Sequence, residues 1–433
     1  MLSCLTVPDG LSEVVEALRG AFTAPTFATF KDLVGGMLTA TGEHSVTGMW
    51  IAAGLAGRSH WARGHRFFSH ARWDADALGL VLLRLAVSLF APDGALRLVV
   101  DDTLFLRYGK KVHGAFYQHD GSANGRDALG RGNCFVILGL AVSVPFIQRS
   151  VLLPVLFRLN LGKDGPSKVE QARTMVGLVA RAFPHRRIDV VGDALYRGRV
   201  WRDLPERITF TTRLASNAAL YARPRAPAVR KRGHPAWKGP KLGSPAEIAA
   251  GVRWQTVPVN AYAKTVAMQV AVIECLWWGS LGRTPVRLVL ARAATSKKLY
   301  DIALISTDLT EDAAGIIARY STRWSIEQTI RDCKILLGAG DARNRLQAAV
   351  ERTVPFQMLC LTILYCWYAT AHRGCDALDA YRQRHPWDLA KTHVSVDDML
   401  IAFRRQRIKD NSARHSTLRQ IPAAAMTSGL AAA

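Results

Sequence analysis

The chain is short of acids, has no closely paired cysteines and has no glycine-spaced phosphate loop. Its 433 residues carry 34 Asp or Glu against 57 Lys or Arg, a formal excess of +23. That imbalance says nothing about fold, but it predicts attraction to polyanions. Nucleic acid leads, because each neutralised phosphate releases counterions. The excess is spread along the chain and not gathered on one amphipathic helix, which argues against a membrane partner. The cysteines, at 4, 134, 275, 333, 360, 366 and 375, form no Cys-x-x-Cys. Neither a disulfide framework nor a structural zinc is expected, and the chain reads as reduced and cytoplasmic. Residues 1–10 contain Pro8 and Asp9 and lack a cationic start before an apolar run, so no signal peptide is expected. Only Thr353 to Ala371 resembles a membrane span, and Pro355, Gln357, two Tyr and a Trp within it favour a buried helix. Gly109-Lys-Lys111 lacks the spacing of a phosphate-binding loop, which removes a nucleotide cofactor.

What is present sorts into segments. Residues 1–92 read as a helical domain suited to DNA docking, with helices at about 11–22, 27–38, 45–56 and 73–90. Ser45 is a cap, and Arg58-Ser-His-Trp-Ala-Arg-Gly-His-Arg66 is a basic, aromatic edge. A helical lid with solvated arginines fits those residues equally well. Residues 93–214 read as the first part of a catalytic core. A strand at 95–100 leads into Asp101 and Asp102, followed by β-type runs at 134–145 and 150–159. A helix at about 167–182 comes next, then strands at 187–191 and 207–213, the former ending at Gly192-Asp193. This order is that expected of a ribonuclease H-like α/β sheet.

Residues 215–300 read as a β-rich insertion opened by a basic loop. Residues 222–241 hold seven Lys or Arg and no acid, and Arg230, Lys231 and Arg232 are its densest cluster. The loop is either a solvated linker or a DNA-backbone contact ordered on binding, and the latter is favoured. Residues 301–410 resume the core with a strand at 301–306, one long helix at about 311–337, and helices at about 345–372 and 396–407. Residues 411–433 form a tail.

The long helix carries Tyr320, Arg323, Glu327 and Lys334 at offsets 0, 3, 7 and 14. At about 100° per residue these side chains fall within a sector of roughly 60°, so one carboxylate is flanked by two cations and a phenol. Alone, Glu327 with Arg323 and Arg331 would read as a surface salt-bridge ladder. Asp102 and Asp193, each just past an expected strand, change that reading. Cutting a phosphodiester needs an activated nucleophile and a stabilised leaving oxygen, and two divalent ions about 4 Å apart supply both. Mg²⁺ prefers hard oxygen ligands and keeps several waters, so three carboxylates suffice. Strand alternation sends Asp101 and Asp102 to opposite faces, so only one of them can take part. Asp102 is favoured, with Asp101 as a solvated or capping residue.

Val99-Val-Asp-Asp-Thr103, Val190-Val-Gly-Asp-Ala194 and Tyr320 through Lys334 together resemble the DDE transposases of bacterial insertion sequences. The likeness is to the cut-and-paste group with a Tyr-Arg-Glu-Lys signature, and covers about residues 95–372. The resemblance implies that Asp102, Asp193 and Glu327 are catalytic and hold Mg²⁺, with Mn²⁺ able to substitute. It implies that Tyr320, Arg323 and Lys334 grip phosphates near a transposon end. The partners it implies are double-stranded DNA, as inverted repeats and target, and a second copy of the chain in the DNA complex. A nuclease on the same scaffold without strand transfer, and a DNA-binding repressor that does not cut, remain as alternatives.

Overall fold

In the computed structural model the described residues are 9–121, 128–224, 236–261, 264–371 and 376–419. The chain opens with α1 (Asp9–Glu16), α2 (Ala24–Thr39), α3 (Val46–Ala52), α4 (Ala62–Ser69) and α5 (Ala75–Phe90). Ser45 caps α3 by accepting the Gly48 N–H at 3.0 Å. Helix α4 overlaps the segment read as a basic edge and is not among the expected helices; Gly64 lets it lie on Trp50, where a Cβ would come within 3.2 Å of the ring.

Then follow β1 (Leu96–Leu106), β2 (Phe116–His119), β3 (Leu129–Val144), β4 (Ile147–Asn160), α6 (Lys168–Ala182), β5 (Ile188–Gly192) and β6 (Ile208–Arg213). A full capping box starts α6, Ser167 and Glu170 satisfying each other's backbone N–H. Residues 215–300 hold β7 (Leu220–Tyr221), β8 (Lys241–Gly243), α7 (Pro245–Gly251), β9 (Gln255–Ala261), β10 (Lys264–Leu276), α8 (Trp278–Leu281) and β11 (Pro285–Ala293). The chain continues with β12 (Ile302–Ser306), α9 (Ala313–Ser321), α10 (Trp324–Leu336), α11 (Gln347–Ala371), α12 (Asp376–Arg384) and α13 (Val396–Arg419).

The chain divides into two units. One comprises Met1–Leu89, Lys111–His113 and Asp332–Ala433; the other comprises Phe90–Lys110 and Gly114–Arg331. The first is helical among its described residues. Its core stacks Phe22, Phe30, Phe67 and Trp73, with Phe356 of α11 edge-on to Phe30 and Phe67. The apolar α11 is long enough to cross a membrane, but 83% of its most apolar window is buried in the protein. Arg407 of α13 donates to the carbonyls of Gly35, Ala52 and Ala53, the last two at the end of α3 where helix carbonyls are left open.

The second unit is a mixed α/β layer built on one twelve-stranded sheet. Its path is β2–β3–β1–β5–β6–β12–β11–β10–β7–β8, with β4 on β3 and β9 on β10. From β4 through β3 to β1 the pairing is antiparallel, whereas β5 and β6 run parallel to β1. The α6 crossover between β4 and β5 is what makes the parallel pair possible.

Two expectations need correction. Strand β1 does not stop before the acids but runs through them to Leu106, because β3 continues beside it and pairs Asp101 with Ile137 and Asp102 with Val136. The long helix at 311–337 is two helices with a break at Thr322–Arg323. Ser321, Thr322 and Ser325 donate their hydroxyls to the carbonyls of Ala318, Arg319 and Thr322. Backbone bonds there tighten to three-residue steps, as from the Arg323 N–H to Tyr320 and from the Ser325 N–H to Thr322. Side-chain competition of this kind breaks helical continuity.

The start of α9 is anchored by charge. Arg319 is 1% exposed and donates to Asp308 at 2.9 Å and Glu311 at 2.7 Å, with Asp189 at 3.5 Å. Arg187 pairs with the same Asp189 and Asp308. Burial pushes Asp308 up, but the Thr310 hydroxyl and Arg319 overcome it and hold the carboxyl well below its usual range. Arg319→Ala leaves buried carboxylates under-compensated, so unfolding free energy in urea is expected to fall by about 3–5 kcal/mol.

Candidate active site

Alternation along β1 separates the two adjacent acids. Asp102 turns toward α6, where its Oδ2 takes the Lys168 ammonium at 2.6 Å and the Cys134 thiol at 3.2 Å. Its Oδ1 accepts the Tyr196 hydroxyl at 3.0 Å. Burial lowers Lys168, but the Asp102 carboxylate and Cys134 outweigh it and raise the ammonium's pKa. Burial and the same carboxylate push the Cys134 thiol up to about 12 and the Tyr196 phenol well above its ordinary value. Asp102 is thus fully engaged with its own strand, α6 and the turn after β5.

Asp101 faces the other way. Its Oδ2 lies 3.3 Å from Nη1 of Arg323, and Nη2 of that guanidinium donates to Glu327 Oε1 at 2.7 Å. Burial pushes Asp101 up to about 7; the Asp102 N–H and Arg323 oppose the rise, while the charges of Asp193 and Asp102 add to it. β1 and β5 are neighbouring parallel strands, with Val100 paired to Gly192 just before the two acids. Asp193 sits directly after β5, where its carboxylate accepts the Leu195 N–H at 2.8 Å and opens a short 3-10 turn. Gly192 permits that turn, since a Cβ there would meet Tyr196 at 2.9 Å.

Glu327 is in the first turn of α10, its side chain 38% exposed. Thr329, on the same helix, donates to the Leu152 carbonyl of β4 at 2.9 Å and fixes α10 on the sheet. Tyr320 is 8% exposed and hydrogen-bonded to Arg323; burial and Asp193 raise its pKa, while Arg323 and Arg213 counter them. Lys334 lies in the last turn of α10, among the residues assigned to the helical unit. Arg230, Lys231 and Arg232 fall outside the described residues.

The structure therefore joins Asp101 and Glu327 through Arg323, leaves Asp193 after β5 on its own short turn, and places Asp102, the acid favoured from sequence, in a separate Lys168–Tyr196–Cys134 cluster. Sequence reading passed over Lys168, Tyr196 and Cys134 because no local motif marks them. The face each Asp takes depends on the register of β1 against β3, which one sequence does not fix.

The donor chemistry suits a divalent cation: carboxylate oxygens are hard ligands, and the cation now spanning two of them is a guanidinium. Among the described residues no three acids or other ligands stand close enough to hold an ion as placed.

No curated protein matches the chain. A family profile described as "DDE superfamily endonuclease" matches residues 17–271, a span that takes in Asp101, Asp102 and Asp193 and ends before Glu327. That match covers more than half of the chain, which belongs to the DDE superfamily endonuclease family.

Proposed function

We propose that the protein is a transposase that binds the ends of a DNA element, cleaves strands there with the help of divalent cations, and transfers the freed 3′ ends to target DNA. Family membership already makes DNA the substrate class and cleavage the reaction, and enzymes of this family are generally metal-dependent. The observation that carries the finer reading is the bridge from Asp101 through Arg323 to Glu327, with Asp193 adjoining. The strand order β4–β3–β1–β5–β6, antiparallel then parallel, supports a ribonuclease H-like core beneath it.

In this reading Asp101, Asp193 and Glu327 ligate Mg²⁺ or Mn²⁺, and Asp102 holds the scaffold. Bound divalent ions supply activation of the attacking water or hydroxyl and stabilisation of the departing oxygen. The chain's own part is positioning. β1 and β5 present two carboxylates from neighbouring parallel strands, and α10 brings the third. Arg323, once released from the carboxylates, is free to grip a phosphate, and Tyr320 orients that guanidinium. Trp61, 55% exposed beside α4, and Arg63 and Arg66 on that helix give the helical unit a basic, aromatic surface for duplex DNA. Lys334 and the basic loop at 222–241 add further DNA contacts in this proposal, and synapsis of two ends calls for a second copy in the complex.

The test is cleavage and joining of a duplex carrying the terminal repeats that flank the gene, with Mg²⁺. Asp193→Asn and Glu327→Gln are each expected to lower cleavage about a thousandfold or more while leaving duplex binding in place. Unchanged cleavage in both variants would refute the site. Cleavage without joining supports a nuclease instead, and binding without any nicking supports a repressor.

A further inference from the structure

A second feature on the same face of the sheet has no place in the chemistry above. A cleft of about 620 Å³ opens between the β3–β4 hairpin, the β9–β10 hairpin and helices α9 and α10. Three cations line it, Arg97, Arg149 and Lys264, together with amides such as Gln148 and Asn260, and no acid is among its described lining. In a chain this basic, cations alone would be unremarkable. The wall differs from a solvated surface in one respect: Nε of Arg97 is buried and has no hydrogen-bond partner. Burial and the nearby Arg319 lower the Arg97 pKa, although Asp189 and Glu311 work in the opposite sense. A buried donor without a partner, in a cleft lined by three cations and no acid, is satisfied by an anion.

Position identifies the anion. Arg97 precedes Asp101 by four residues on β1, so both side chains leave the same face of the strand, about 13 Å apart at the ordinary rise. Gln328, next to Glu327 on α10, also lines the cleft. A chain of phosphates leaving the carboxylates along this face reaches the cleft within a few nucleotides. Its volume is that of a small-ligand pocket, far too small for a duplex, whereas a single strand threads such a groove.

We propose that this cleft is a single-strand groove that takes the phosphodiester backbone of the DNA strand running to one side of the scissile phosphate. The assignment rests on the carboxylate site being where strands are cut. Arg149 and Lys264, both exposed on hairpins, contact successive phosphates, while Arg97 closes the floor.

The experiment measures binding of a fluorescein-labelled oligothymidylate of ~15 nucleotides, without divalent metal, by the full chain. Arg149→Glu with Lys264→Glu is expected to weaken binding at least about tenfold and to flatten the salt dependence by roughly 1.4 log units per log unit of salt, two phosphates at about 0.7 each. Lys163→Glu with Arg181→Glu, outside the cleft, carries the same net charge and is expected to change affinity less than about twofold. Equal losses in the two double variants, or an unchanged salt slope in the first, would overturn the proposal. If the charge reversals unfold the chain by circular dichroism, Arg149→Ala with Lys264→Ala is read instead, with the same slope change expected. Binding is read apart from cleavage, so failure in the separate cleavage test together with these binding losses refutes the catalytic reading and leaves the groove standing.

Discussion

Asp101→Asn is expected to abolish metal-dependent cleavage, a fall of about a thousandfold or more, whereas Asp102→Asn is expected to lower cleavage per folded molecule by less than about tenfold. The two residues are adjacent and chemically identical, so the contrast isolates direction. Asp101 shares Arg323 with Glu327 and feels the charge of Asp193; Asp102 is spent on Lys168, Tyr196 and Cys134. What Asp102→Asn costs is stability. It strips Lys168 of its carboxylate, and with side chains 26% and 18% exposed the loss should be about 1–3 kcal/mol, below that of a fully buried pair.

Asp101→Asn acts on stability in the opposite direction, which gives a second readout free of catalysis. Folding moves the carboxyl from an ordinary 3.8 to about 7. The folded chain therefore holds that proton more tightly than the unfolded chain, and the ionised form is a burden that grows as pH rises from 3.8 toward 7. Above the upper value the burden is complete, on the order of 4 kcal/mol, and Asn removes it. Metal-free Asp101→Asn is expected to melt above the parent at about pH 8.5, with the gap roughly halved near pH 5.5. A variant that melts below the parent at both pH values would contradict the burial of Asp101 against its neighbours.

Much of this architecture was legible from the sequence because local signals and tertiary demands agree. The capping box at Ser167 and Glu170 announces α6, and the β-branched runs at 188–192 and 302–306 are strands because both faces are covered. The failures share a cause. The expected strand ends at Val100, yet pairing with β3 holds both carboxylates within it. Placing Tyr320 through Lys334 on one helical wheel assumed unbroken geometry, and the hydroxyls of Ser321, Thr322 and Ser325 bend the chain there. That break matters for the site, because Arg323 lies between the two helices and is aimed by the turn. The choice between Asp101 and Asp102 is of the same kind one level up: a motif gives the position in the chain, while the face is set by register.

Arg323→Ala should tighten divalent-ion binding while it weakens catalysis. The guanidinium now spans the gap between Asp101 and Glu327, at 3.3 Å from one and 2.7 Å from the other, so it stands where a divalent ion would be shared. An ion entering must displace it, and the work of breaking that bridge is subtracted from the ion's affinity. With alanine no bridge has to be broken and two carboxylates lose their neutralising partner. Mn²⁺ affinity, followed by electron paramagnetic resonance, is expected to rise by about tenfold, equivalent to about 1.4 kcal/mol. Cleavage is expected to fall by about a hundredfold or more, since the phosphate loses its charged clamp. The comparison belongs near pH 8.5: Arg323 holds the raised Asp101 pKa down, so its removal lifts that pKa further and makes protons stronger competitors at neutral pH. Weaker Mn²⁺ binding at that pH would mean that Arg323 arranges the carboxylates for the ion and does not compete with it. A displaced guanidinium would also link the two ligands, because an ion held by Asp101 and Glu327 would leave Arg323 free to bind phosphate. Mn²⁺ is then expected to tighten the parent's grip on DNA more than that of Arg323→Ala, which has nothing to release.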